Sequence, residues 1–127
     1  MPYLHSIKLE RQSFAFSKII DIRDNHHSLA SLYKSMVESL GMMIYNNGLV
    51  SVLSRLKNSN AENKFIYEHI AQWLDYKRVI AFSFNLPDDD LLECVLAIDD
   101  SRVLLALTIE ILVLTDVMKE ILKAEID

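Results

Sequence analysis

Cysteine is nearly absent from this chain: Cys94 stands alone among 127 residues. No internal disulfide can form, and a reducing, cytoplasmic setting is the expected one. Glycine and proline are as scarce, two of each. So little punctuation favours long helices with short connections. The N-terminus has no basic region followed by an apolar core, so no secretory signal is expected. The most apolar run, Val103 to Leu114, is interrupted by Thr108 and Glu110. It falls short of the roughly 20 apolar residues a bilayer span needs and reads instead as a buried core helix.

Reactive constellations are missing as well. Both glycines are isolated, so there is no phosphate-cradling loop. No pair of cysteines and no Glu and His at zinc-site spacing appear. His26 and His27 are adjacent in a turn and point apart, which suits a solvated turn. Asp88, Asp89 and Asp90 could attract a hard cation, but helix capping explains them more simply. His69 fits a packed histidine on a helix, and Cys94 lies on an apolar face without a base beside it. The expectation is a protein with no metal, no cofactor and no small-molecule substrate, and not an enzyme.

What is present is core material. Apolar residues make up 51% of the chain and charged residues 24%. At this length they predict one folded domain over residues 1–127. The net charge is −5, unevenly spread: residues 1–60 carry seven Lys and Arg against four Asp and Glu, and residues 61–127 six against fourteen. The acidic total argues against a free-standing nucleic-acid binder. The asymmetry leaves room for one basic face in the N-terminal half.

Apolar residues at 29, 32, 33, 36, 37, 40, 43 and 44 follow the i, i+3, i+4 rule of an amphipathic helix. The stripe stops at Asn46-Asn47-Gly48, residue types that tolerate a left-handed backbone. A second stripe begins at Leu49 and continues through 52, 53 and 56. A helical hairpin follows. Before it, a helix runs from about Pro2 to Asp24, with Ser28 the expected N-cap of the next. After it, Phe65, Ile66, His69, Ile70, Trp73 and Leu74 share one face of a fourth helix. Residues 77–87 fit either an extended apolar loop or a short strand-like piece, and Pro87 keeps Leu86 out of helix. Asp88–Asp90 then opens a short fifth helix, and Asp99-Asp100-Ser101 a long sixth that reaches about Ala124. The fold class is all-α, a compact bundle of five to six helices.

Three charges interrupt the apolar faces. Arg11 and Lys18 lie on the stripe of Leu4, Ile7, Phe14, Ala15 and Ile22. Glu110 shares a side with Val103, Leu107, Leu114, Val117 and Ile121. A lone buried charge costs several kcal/mol or more, so it must be paired or reach water. An Arg11–Glu110 pair joining the first helix to the last satisfies both at once; phosphate contact is the functional alternative for Arg11. Lys18 can extend its charge to the edge of the stripe. Gly41, on the buried stripe of the second helix, implies close approach of a neighbour or a kink.

The string from Tyr33 to Leu49 resembles the small helical subunit of the type III-B CRISPR effector, the Cmr complex. Tyr33, Lys34, Ser35, Leu40, Ile44, Asn47, Gly48 and Leu49 match that family's central motif. Arg11, Phe14, Ala15 and Lys18 fit its first helix, and Trp73-Leu74 a middle one. Leu107, Thr108, Glu110, Leu112, Leu114, Lys119 and Ala124 fit its last. Departures are Gly41 for Pro, Glu38 and Glu120 for basic residues, and Val117 for Trp. The resemblance implies a non-catalytic subunit that stacks in copies beside other effector subunits, along the channel where target RNA pairs with CRISPR RNA. Such a duplex is contacted through shape and phosphates, and Lys8, Lys18, Lys34, Arg55 and Lys57 are the expected RNA-facing cations. No membrane partner is expected.

Two other readings compete. A helical protein–protein interaction or regulatory module without nucleic acid would suit the acidic total. A helix-turn-helix DNA binder would need a richer recognition helix than Ser51, Ser54, Arg55 and Lys57 provide.

Overall fold

The computed structural model describes residues 2–78, 80 and 82–127, with side chains described from residue 7 onward. Leu4 of the first apolar stripe therefore has its side chain outside the described residues, as do Val79 and Ala81 in the ambiguous stretch. Six helices appear in order: α1 (Pro2–Asn25), α2 (Ala30–Asn47), α3 (Leu49–Lys57), α4 (Ala61–Lys77), α5 (Leu91–Leu96) and α6 (Ser101–Glu125). Among the described residues there is no strand. The fold is an all-α bundle around one core.

The α2–α3 hairpin follows from its stripes. Tyr33, Val37, Leu40 and Ile44 are buried from α2, and Leu49, Val52, Leu53 and Leu56 from α3. Between them only Gly48 takes a positive φ, +84°, while its N–H closes the last turn of α2 onto the Ile44 carbonyl at 2.8 Å. An L side chain at that φ would be strained, so glycine is required there. Gly41 leaves α2 unbroken. A Cβ placed on it would meet Leu112 of α6 at 3.9 Å, an ordinary van der Waals contact.

α6 lies between α1 and α2 and completes the core with Leu107, Ile111, Leu114, Met118 and Leu122. It runs parallel to α1, since Arg11 meets Glu110 near the middle of both helices and Arg23 meets Glu125 near their C-terminal ends. It runs antiparallel to α2: Lys34, near the start of α2, donates to the Ile126 carbonyl just past α6, and Gly41 faces Leu112.

One helix start differs from the sequence expectation. Ser28 is not the N-cap of α2; it lies inside a 3₁₀ turn, His27–Leu29, and α2 begins after Leu29 with no side-chain cap. The tight turn satisfies backbone donors by itself, with the Leu29 N–H on the His26 carbonyl at 2.9 Å. The caps of α5 and α6 are aspartates, as their positions suggest. Asp90 accepts from the Glu93 N–H, and Asp100 from the Arg102 N–H.

Of residues 77–87, Lys77 closes α4 and the other described residues are irregular loop, not strand. Arg78 ends α4 in the left-handed conformation, φ +50°. Its guanidinium donates to the Phe84 carbonyl at 3.2 Å, and Asp75 accepts the Leu86 N–H at 3.1 Å. Phe84, fully buried, anchors the loop to the core.

Candidate functional site

Two buried polar clusters hold the helices together, the first built around the charges Arg11 and Glu110 that break apolar stripes. In the first, Arg11 grips Glu110 with two parallel hydrogen bonds, Nε to Oε2 and Nη2 to Oε1, each 3.0 Å. The Trp73 indole N–H donates to the same Oε2 at 2.9 Å. The guanidinium carbon also lies 5.8 Å from the centre of the Trp73 ring. Three helices, α1, α4 and α6, are thus tied at one carboxylate. A bidentate guanidinium–carboxylate pair with a further donor meets the terms on which a buried charge is tolerated.

The second cluster is Tyr33 of α2 and His69 of α4, whose Oη and Nδ1 are 2.7 Å apart. Burial pushes the Tyr33 hydroxyl far above its ordinary range. Burial first, and then the nearby Lys18 charge, push His69 down to about 4. Around neutrality the imidazole is therefore uncharged and the tyrosine keeps its proton, so the two share one neutral hydrogen bond whose direction follows the imidazole tautomer. This is a packed core histidine. A tyrosine on a buried stripe needs a partner for its hydroxyl, and that requirement was the available signal for the pair.

A third junction, partly exposed, centres on Asp90 at the start of α5. It accepts from Lys57 Nζ of α3 at 2.8 Å and from the Tyr67 hydroxyl of α4 at 2.7 Å. Tyr67 in turn accepts the Leu92 N–H at 2.9 Å. Burial works to raise the Asp90 pKa, but the bonds from Lys57 and Tyr67 outweigh it and hold the carboxyl below its ordinary value. From the sequence, capping is the simpler role for Asp90 and a hard-cation site the alternative. Its partners come from two other helices and have no local signature.

The five cations expected to face RNA are not gathered in one cluster. Lys8 and Lys18 belong to α1, Lys34 to α2, and Arg55 and Lys57 to α3. Lys8 and Arg55 are exposed, with no ion-pair partner among the described residues. Lys18 is half-buried, its Nζ 5.3 Å from the centre of the Phe14 ring. Lys34 is engaged with the Ile126 carbonyl at 2.7 Å, and Lys57 with Asp90.

The acidic half of the chain gathers elsewhere. A cleft of about 490 Å³ is lined by Asp88, Asp89, Asp90, Glu93, Asp99 and Asp100 beside Cys94. Burial, then the neighbouring carboxylates, push the Cys94 thiol up, away from the reactive thiolate. Such a cleft repels phosphate and suits solvent or a basic protein surface. Among the described residues no group of three or more His, Cys, Asp or Glu is arranged to hold a metal, and no helix is long and apolar enough to cross a membrane. His26 sits against Phe65, with ring centres 4.4 Å apart, while His27 is exposed in the 3₁₀ turn.

Compared with known families, the chain matches the family described as CRISPR-associated protein (Cas_Cmr5) over residues 7–125.

Proposed function

This chain belongs to the Cas_Cmr5 family of CRISPR-associated proteins, the small subunit of the type III-B Cmr complex, and from that premise we propose that it acts by structure and contact, without catalysis. The family associates with other subunits of the effector complex. In the proposed role, copies of this chain stack as a short filament beside those subunits. Together they line the channel in which target RNA pairs with the CRISPR RNA. They touch the duplex through its phosphates, while other subunits supply any chemistry.

The observation that carries this reading is the family match over nearly the whole chain, 7–125. Its distinctive residues support it by what they do. Arg11, Tyr33, Trp73 and Glu110 are spent on holding helices together, which leaves the surface to work by contact. Lys8, Lys18 and Arg55 are the cations best placed to meet phosphate. Lys34 and Lys57 would contribute by exchanging an internal partner for one. Phosphate contacts of this kind weaken as salt rises.

The test is target-RNA capture by the guide-loaded complex carrying Lys8→Glu, Lys18→Glu and Arg55→Glu together. Capture should fall and its salt dependence flatten, while the melting curve of the isolated subunit stays unchanged. Undiminished capture would remove these residues from the RNA face.

A further inference from the structure

α6 carries an exposed apolar stripe that the bundle does not use. Leu105, Ile109 and Val113 are 61%, 51% and 37% exposed. Single exposed apolar residues need no explanation, but contiguous ones on one face do. Leu105, Ile109 and Val113 share that face with Arg102 and Asp116, all within roughly 80° of arc at 100° per residue. On the neighbouring helix, Gly41 of α2 packs beside Leu112, and Met42 and Tyr45 of α2 are 64% and 81% exposed.

The order of residues along the stripe identifies its occupant. Leu105 stands four residues before Ile109 and Val113 four after; Arg102 stands seven before and Asp116 seven after. When two copies of α6 lie antiparallel about a two-fold axis through Ile109, Leu105 of each faces Val113 of the other. Arg102 of each then faces Asp116 of the other. An isologous contact demands this self-complementarity, in which one patch serves as both surfaces. The charges at its ends are available. Arg102 is almost fully exposed and holds only Asp100 on its own helix start, while Asp116 is exposed with no ion-pair partner among the described residues.

We infer that the α6 face is a two-fold self-association surface, on which a second copy of this chain docks by the contacts Leu105–Val113, Ile109–Ile109 and Arg102–Asp116. A two-fold contact closes after two copies. It is therefore separate from open-ended stacking along RNA and stands or falls without it. A different protein docking here would have no reason to require charge and apolar positions arranged symmetrically about one residue.

Sedimentation velocity of the purified chain over a concentration series into the high-micromolar range tests this. Dimer should appear as concentration rises. Arg102→Asp and Asp116→Arg should each weaken it by about tenfold or more, and the double exchange should restore it. All these residues are exposed, so thermal unfolding curves at concentrations where the chain is monomeric should not move. In a Cys94→Ser background, Ile109→Cys should give a covalent dimer with oxidised glutathione, since the two thiols face each other across the axis. A chain that stays monomeric throughout would overturn the inference. So would a dimer indifferent to both charge reversals, or one that the double exchange fails to restore. Loss of the same variants from the assembled effector, with the free chain monomeric, would assign the face to another subunit instead.

Discussion

Arg11 and Glu110, ninety-nine residues apart, meet through two 3.0 Å hydrogen bonds, and that pair fixes how the first and last helices align. Both side chains are largely shielded, at 12% and 8% exposure. Neither charge is tolerable there alone. Trp73 adds its indole N–H, so the carboxylate also positions α4.

Removing one charge should therefore cost far more than the pair contributes on balance. Glu110→Leu leaves a part-buried guanidinium and an indole N–H without their acceptor. It should lower unfolding free energy by about 3–5 kcal/mol. Adding Arg11→Met should recover much of that loss. Urea denaturation of the two single variants and the double one measures it; equal and additive losses would mean that the pair is not coupled.

The two glycines should respond in opposite directions to alanine. At Gly41 a methyl finds ordinary contact with Leu112 at 3.9 Å, and the helix loses its most flexible residue. Gly41→Ala should stabilise by about 0.5–1 kcal/mol. At Gly48, φ is +84°, and Gly48→Ala should destabilise by about 1–3 kcal/mol. Unfolding midpoints for the two variants test both signs.

His69 makes stability depend on pH in a definite window. Its pKa is lowered from 6.5 to about 4 in the folded state, by burial first and by Lys18 second. Below pH 6.5 the unfolded chain takes up a proton that the folded chain refuses until about pH 4. The contribution is therefore complete above 6.5 and is lost as pH falls between those values. At most it amounts to about 3 kcal/mol. Unfolding free energies at neutral and mildly acidic pH should differ in the wild type and converge in His69→Gln, whose amide can bond Tyr33 as donor or acceptor.

Lys34 anchors the end of the chain rather than projecting freely. Its Nζ holds the Ile126 carbonyl at 2.7 Å, and Ile126 is buried. Lys34→Met should speed amide hydrogen exchange in the last turn of α6 while leaving the α2–α3 hairpin protected. Unchanged exchange would make the contact incidental and return Lys34 to the cations available for RNA.

How much of this the sequence disclosed depended on the range of the interaction. The α2–α3 hairpin was legible because its stripes have the helical period and Gly48 interrupts them where a positive φ is needed. The meeting of Arg11 with Glu110 was legible because each broke an apolar face and neither could stay unpaired. The start of α2 was not: a 3₁₀ turn satisfied the backbone groups for which Ser28 was the expected cap. Residues 77–87 have no period, and their path is set by Arg78 and Asp75 side chains bonding to backbone groups of Phe84 and Leu86 within the segment. The partners of Lys34 and Lys57 lie on other elements, where neither spacing nor propensity encodes them.

The central claim is that this chain works as a repeated structural subunit of an RNA-guided effector, and native mass spectrometry of the reconstituted complex tests it most directly. Guide-loaded particles should gain mass in several steps of 14.6 kDa when the chain is supplied. Particles that assemble to the same mass with and without it would contradict the account.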